Sequence, residues 1–447
     1  MKSDKHLNLA VIAQSTMLFA IFVSIILYSF ADPHIESSMV PFTLVMAISL
    51  MGISKSILLN WGRIHEQVFW LFCFIWLGLA PIIQISRSVL PLPLELTQSD
   101  FAMGGWLIVF GLLAYSVPTI FPRRLEGSTK NLIHRSEKVQ NTLALLAIGF
   151  STLILAKIGP QNYFVSREQL NQVIFIGRGS DNSQGAILSN FSIVPIFVSL
   201  IVFLIEYRVR PAIFQSIFKK SLFILLILMN IVINNPISQS RFWFTTVWGS
   251  VFLTLVWGKK NIAAWISLFS LIFILFIFPV SAIFRYTNQD SGFRLQNPAI
   301  SLSTGDFDAA EQIAWGMKLS NDTGFLKGGQ ILGAALFAVP RGIWSEKPQD
   351  SGIILAKKAN YKNTSLSAPI WVEGYLDGGW FISILYLFGI GLAHRKMREY
   401  YSQKVPNLLV VFIPYQVVLL RGSLIQSMAS FSVIVLWILF NTTRSKK

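Results

Sequence analysis

Apolar runs of about 20 residues recur along the whole chain, separated by short polar segments. A helix of that length crosses a hydrocarbon core of roughly 30 Å. The pattern predicts twelve spans, at about 8–30, 38–54, 68–86, 102–121, 139–156, 190–206, 217–233, 242–257, 262–283, 379–393, 407–420 and 424–441. The tenth is short, with an alternative start near Trp371. One long polar stretch, 284–378, breaks the rhythm. The chain is therefore expected to divide into nine spans over 1–283, one large loop over 284–378, and three spans over 379–447. The expected fold is an all-α polytopic membrane protein with about twelve transmembrane helices and a large loop that carries short helices of its own.

Within the loop, Thr304-Gly305-Asp306 reads as a helix start, with Asp306 capping the first turn. The helix that follows, 307–319, puts Phe307, Ala310, Ala314 and Met317 on one face, and Asp308 and Glu311 on another. It is expected to lie on the outer membrane surface. Residues 331–339 form a second apolar helix, too short to span and stopped by Pro340, after which Arg341 is presented from a stiff turn. A second polar segment, 157–189, holds Gly-Arg-Gly at 177–179, which suits either close approach to a ligand or a solvated turn.

Composition agrees with the periodicity: 53% of the 447 residues are hydrophobic, 13% are charged, and mean hydropathy is +0.58. The first run is too long for a signal-peptide core and reads as an uncleaved span. A net charge of +16 would suggest nucleic acid in a soluble protein. Here no nucleic-acid partner is expected, because most of the charge follows the positive-inside rule. With the N-terminus inside, the inner segments hold 22 of the 37 Lys and Arg residues in about 75 residues, while 15 of the 21 acids fall outside. Both termini are therefore expected in the cytoplasm, with the large loop on the opposite side. Cys73 is the only cysteine, so no intrachain disulfide or cysteine-based metal site is possible. No Walker motif, HExxH or Cys/His spacing is present, and no cofactor is expected.

Five arginines occupy outer span ends or the loop, where the positive-inside rule should deplete them: Arg87, Arg241, Arg285, Arg341 and Arg421. Taken singly, each also reads as a residue snorkelling to head groups or pairing with an outer acid. As a group at one depth they suit a lipid-linked phosphate or diphosphate, which the planar guanidinium fork can grip with two bonds. Glu373, where the chain returns to the membrane, is a candidate general base. A salt bridge to Arg341 or a helix cap would account for it equally well. The spans hold almost no acid at mid-membrane, which argues against an ion-coupled transporter.

The stretch Arg285…Gly305-Asp-Phe-Asp308…Ala338-Val-Pro-Arg-Gly-Ile-Trp-Ser-Glu-Lys-Pro348…Ser365-Leu-Ser-Ala-Pro369…Glu373-Gly-Tyr…Gly378-Gly379 resembles the bacterial Wzy-type oligosaccharide repeat-unit polymerases of O-antigen and capsule synthesis. Ser240-Arg241 and Arg421-Gly-Ser are similar to arginine positions of that family. The likeness at motif level covers about a quarter of the chain. It implies a GT-C-like helical bundle in the bacterial inner membrane with a periplasmic active site. The implied substrate is an undecaprenyl-diphosphate-linked oligosaccharide, and a chain-length regulator and a flippase are the implied partners. By the same resemblance, Arg241, Arg285, Arg341 and Arg421 hold the diphosphate. Glu373, or as second choice Asp308, positions or deprotonates the acceptor, and Trp344, Trp371 and Tyr375 stack on sugar rings, with anchoring in the membrane's aromatic belt as the alternative for each. The related O-antigen ligases carry a loop histidine that this loop lacks. A ligase and a lipid-linked-glycan flippase remain the alternatives.

Overall fold

The structure is a computed structural model of the chain. It describes residues 36–59, 63–92, 94–120, 132–134, 136–165, 182–212, 216–259, 298–361, 366–401 and 405–444, with isolated positions near 20, 170 and 266. The expected spans at 8–30 and 262–283 lie largely outside the described residues, as do Arg285, Arg294 and Gly-Arg-Gly 177–179.

Ten helices follow the apolar pattern. They are α1 (Val40–Leu59), α2 (Ile64–Ser86), α3 (Gln98–Ile120), α4 (Glu137–Ile158), α5 (Asn182–Val209), α6 (Ile217–Ile233), α7 (Arg241–Val256), α11 (Ile370–Tyr401), α12 (Phe412–Arg421) and α13 (Leu424–Asn441). The loop adds α8 (Ala309–Thr323), α9 (Gly329–Ala335) and α10 (Ser351–Lys358). Among the described residues, seven helices (α1–α5, α11 and α13) are long and apolar enough to cross a membrane; α6, α7 and α12 are shorter. Among the described residues the strands form one short antiparallel pairing, β1 (Leu132–His134) with β2 (Thr442–Arg444).

Two hydrophobic cores organise the bundle. The first joins α1, α2 and α3 to α8 and the start of α11, with Phe69, Phe74, Leu107, Ile313 and Trp371 at its centre. The second joins α4–α7, α12 and α13 around Phe197, Phe203, Trp257 and Tyr415.

Ion pairs gather at the ends of the helices. At one end Glu66 pairs with Arg398 and, at 3.3 Å, with Arg63; Arg398 also donates to the Thr119 carbonyl at 2.7 Å. Lys219 pairs there with Glu206 at 2.7 Å and Glu137 at 3.2 Å. At the other end Arg87 donates to Ser303 at 3.2 Å, and Lys318 pairs with Asp100 at 3.7 Å. These contacts join segments that the charge bias places on the same side, as does the β1–β2 pairing.

α11 is not one straight rod. Gly378 and Gly379 leave helical geometry, Gly379 with a φ of 73° that only glycine adopts readily. Ser383 Oγ donates to the Trp371 carbonyl at 2.8 Å, and a methyl on Gly374 would lie 2.6 Å from the Ser383 Cα. Residues 371 and 383 would stand about 18 Å apart in a continuous helix. The chain therefore reverses at the glycine pair, so 370–377 folds back on 380–401.

α8 does not lie on the membrane surface as its apolar stripe suggests. Asp308, Glu311 and Gln312 are as buried as Ile313 and Met317. The polar face is covered too, because it meets α10, the segment 366–369 and residue 92. Two glycines allow the close packing. A methyl on Gly104 of α3 would lie 3.3 Å from Ala314, and one on Gly316 would overlap Val372.

Candidate functional site

The end of the bundle that carries Arg87, Arg241 and Arg421 is built around the turn Gly305–Phe307, which precedes α8. α2 positions this turn from below. A π-helical stretch, Cys73–Leu79, carries Trp76, whose indole donates to the Asp306 carbonyl at 2.8 Å and stacks on Phe307. Two turns on, Gln84 Nε2 donates to the carbonyls of Leu302 and Phe307 at 2.7 and 2.9 Å.

Two of the expected arginines converge on the turn. Ser240 caps α7, its hydroxyl accepting from Trp243 N, and so fixes the helix start at Arg241. Arg241 Nη1 reaches Asp306 Oδ2 at 2.5 Å. Arg421, at the end of α12, donates through Nη2 to Asp308 Oδ1 and the Gly305 carbonyl, both at 2.8 Å, and through Nε to the Asp306 carbonyl at 3.2 Å. Its guanidinium lies 4.7 Å from the Phe242 ring centre, a cation–π contact supplied by the residue after Arg241. Asp306 thus binds Arg241 instead of capping a helix, and α8 starts later, at Ala309.

Asp308 is buried, and Ser367 donates to the same Oδ1 at 2.8 Å. Burial pushes its carboxyl above the usual range, while the Arg421 charge and the two donated hydrogen bonds oppose the shift. Glu311, one turn on, accepts from Leu92 N with both oxygens and is pushed up to about 9, by burial first and then by the Asp308 charge.

The turn 421–424 leads directly to a second polar cluster. Glu373 Oε1 accepts from Leu424 N at 2.7 Å and from Ser351 Oγ at 2.5 Å. Asp350 Oδ2 accepts from Ser423 Oγ at 2.6 Å and from Gln426 N at 3.2 Å. Burial pushes the Asp350 carboxyl up. Both carboxylates therefore sit at the N-terminus of α13, where unpaired N–H groups and the helix dipole favour anions. Glu373 is a helix cap, as one sequence alternative had it, but for α13 rather than for the helix it belongs to. Its Oε2 is buried with no hydrogen-bond partner.

The remaining expected site residues lie elsewhere. Arg341 donates to the carbonyls of Lys347 at 2.7 Å and Pro348 at 3.3 Å, within its own loop. Trp344 is half-buried in the turn after Pro340. Trp371 is fully buried, stacked on Phe69 and pressed against Gly111, so it offers no ring face to a sugar. Tyr375 is also buried, its ring edge-on to Phe325 and Trp380 and its hydroxyl donating to Asn321 at 3.2 Å.

Asp350, Ser351, Phe242 and Trp76 complete the two clusters and were not singled out in the sequence; Ser367 and Ser423 entered only as members of the Ser-Leu-Ser-Ala-Pro and Arg-Gly-Ser motifs. Of the four, Phe242 alone carried a signal, as the neighbour of Arg241. Among the described residues no group of three His, Cys, Asp or Glu side chains is placed to hold a metal ion. The arrangement is suited to an anion that binds two guanidiniums, beside a carboxylate with one oxygen unengaged. No protein-family model, curated protein or solved structure matches the chain.

Proposed function

We propose that the chain is a glycosyltransferase that polymerises undecaprenyl-diphosphate-linked oligosaccharide repeat units at the outer face of a bacterial inner membrane. The observation that carries this is the convergence of Arg241 and Arg421, from two separate helices, on one turn at the end of the bundle opposite the basic segments. Each guanidinium is fixed before any ligand arrives, Arg241 by the capped start of α7 and Arg421 by Phe242 and Asp308. Preorganised donors aimed at developing negative charge are the main catalytic resource for a reaction whose leaving group is a diphosphate.

In the proposed reaction the terminal sugar hydroxyl of one lipid-linked unit attacks the anomeric carbon of the donor glycan. The bond from that carbon to the diphosphate oxygen breaks, and the electron pair leaves with undecaprenyl diphosphate. The hydroxyl proton passes to a carboxylate. Glu373 suits this role better than Asp308: its Oε2 has no partner, whereas Asp308 is held by Arg421 and Ser367. Arg241 and Arg421 stabilise the leaving diphosphate. Arg341 would act indirectly, by holding the 340–348 turn.

A ligase would use the same two arginines, so transfer to a non-repeat acceptor separates the two. A flippase would move the intact lipid-linked unit without making a longer glycan. The deciding experiment incubates purified protein in liposomes with its lipid-linked repeat unit alone. A glycan ladder supports the polymerase; intact substrate moved across the bilayer supports the flippase.

A further inference from the structure

The loop segment 328–344 contains one charged residue, Arg341, and among the described residues of the loop it is the part that most exposes large apolar side chains. Leu332 and Ile331 of α9 are half exposed, Leu336 follows, and Ile343 is 81% exposed. A soluble loop that left such a face to water would be costly, since exposed apolar area disfavours the folded state in proportion to its extent.

Side chains from outside the segment satisfy open backbone groups at both ends of α9. Lys347 is buried, and its ammonium donates to the carbonyls of Phe337 at 2.5 Å and Val339 at 3.0 Å, the groups left open where α9 ends. Arg341 turns to the carbonyls of Lys347 and Pro348. At the other end of α9 the Asp377 carboxylate accepts from Gln330 N at 2.8 Å and Ile331 N at 3.0 Å. A loop in water needs no such provision. Backbone in hydrocarbon does.

The depth of the segment follows from its attachments. Leu326 N donates to the Leu376 carbonyl and Gly328 N to that of Asp377, while Phe325 packs on Gly379 at the reversal that begins the 380–401 helix. The small face of α9 rests on Ile425, at the first turn of α13. The apolar surface is thus continuous with the lipid-facing flank of 380–401, where Phe381 is 73% exposed. From residue 380 to Arg398 the helix is about 28 Å long, nearly the hydrocarbon thickness, so its start lies at the outer boundary of that layer. Charged Lys327 and Glu346 bracket the segment and are exposed.

We infer that 328–344 is an interfacial shelf embedded among the acyl chains of the outer leaflet, with α9 lying in the membrane plane across the outer ends of 380–401 and α13. The reaction site next to α13 is then bordered by lipid on this side. The inference stands without the proposed function: burial in the membrane rests on exposure, backbone pairing and attachment, and the leaflet on the Lys and Arg asymmetry of the sequence.

Spin labelling tests it. Cys73 is the only cysteine and is buried, so single cysteines can be introduced in a C73S background. Nitroxides at Leu332 and Ile343, in the full chain in phosphatidylcholine–phosphatidylglycerol liposomes, should collide several-fold more often with oxygen than with a water-soluble nickel chelate. Labels at Asp322 and Ser345 should show the reverse. Chelate access at 332 and 343 equal to that at 322 would overturn the inference. So would labels at 332 and 343 that are shielded from both reagents and broadened by each other, which would mean a second copy covers the face. Retention on size exclusion and labelling in two independent positions guard against a misfolded variant.

Discussion

Arg421 and Asp308, 113 residues apart, meet at 2.8 Å with little exposure of either side chain. The pair ties the last turn of α12 to the turn that precedes α8. It also carries a liability, because a buried carboxylate whose cation is removed is left uncompensated.

Arg421→Ala should therefore lower stability by about 3 kcal/mol, the scale for breaking a buried pair. Adding Asp308→Asn to Arg421→Ala should recover most of the loss, since the charge that needed compensation is gone. Thermal unfolding in detergent, run as a double-mutant cycle, measures the coupling. Losses that simply add would mean that the pair contributes nothing beyond its two residues.

Glu311 gives the loop a pH dependence of definite sign. Its folded value, about 9, lies above the ordinary 4.5, so the native state holds the proton over that interval more firmly than the unfolded chain. Its contribution is complete at pH below about 4.5 and is lost as pH rises towards 9, at no more than about 1.4 kcal/mol per pH unit. The Tm should fall between pH 6 and pH 9 in the wild type and fall less in Glu311→Gln. An identical pH profile in the two proteins would remove Glu311 as the cause.

Asp306 lies on Arg241 where an anionic ligand would have to bind. Asp306→Asn should therefore tighten the binding of inorganic pyrophosphate several-fold, and Arg241→Ala should weaken it. Isothermal calorimetry separates the cases. Equal affinity in wild type and Asp306→Asn would show that Asp306 does not compete for the guanidinium.

Gly374→Ala should disrupt the site without touching a charged group. The added methyl would lie 2.6 Å from the Ser383 Cα, so 370–377 must move away from 380–401 and carry Glu373 off Leu424 N. A loss of stability of at least about 1 kcal/mol is expected, as for overpacking a tight contact. Gly389→Ala, with no neighbour within 4 Å, is the control and should be near neutral.

The apolar helices were legible because hydrophobic length is a strong signal along the chain; α3, α4, α6, α7 and α13 fall within a few residues of the expected limits, though α6 and α7 are shorter than the seven helices long and apolar enough to cross a membrane. The convergence of Arg241 and Arg421 was legible only as a shared depth. Their distances to Asp306 and Asp308 depend on how separate helices pack, which periodicity does not encode. The burial of α8 was not legible, because an amphipathic stripe describes one face and says nothing about partners for the other. Trp371 and Tyr375 could be read either as sugar platforms or as membrane-belt aromatics, whereas packing against Phe69 and Phe325 places them in the interior. The reversal at Gly378-Gly379 was visible as a glycine pair, but its consequence, a carboxylate brought to the start of another helix, was not.

The most direct test of the proposed reaction is a glycan-ladder assay on purified protein in liposomes, comparing wild type with Arg241→Ala, Glu373→Gln and Arg421→Lys. The wild type should produce a ladder from the lipid-linked unit alone. Arg241→Ala and Glu373→Gln should each lose it while eluting as folded protein, and Arg421→Lys should keep the charge but extend chains at least tenfold more slowly, since the two-pronged contact is gone. A wild-type protein that yields no ladder would contradict the polymerase. A ladder of undiminished length and rate in all three variants would contradict the site.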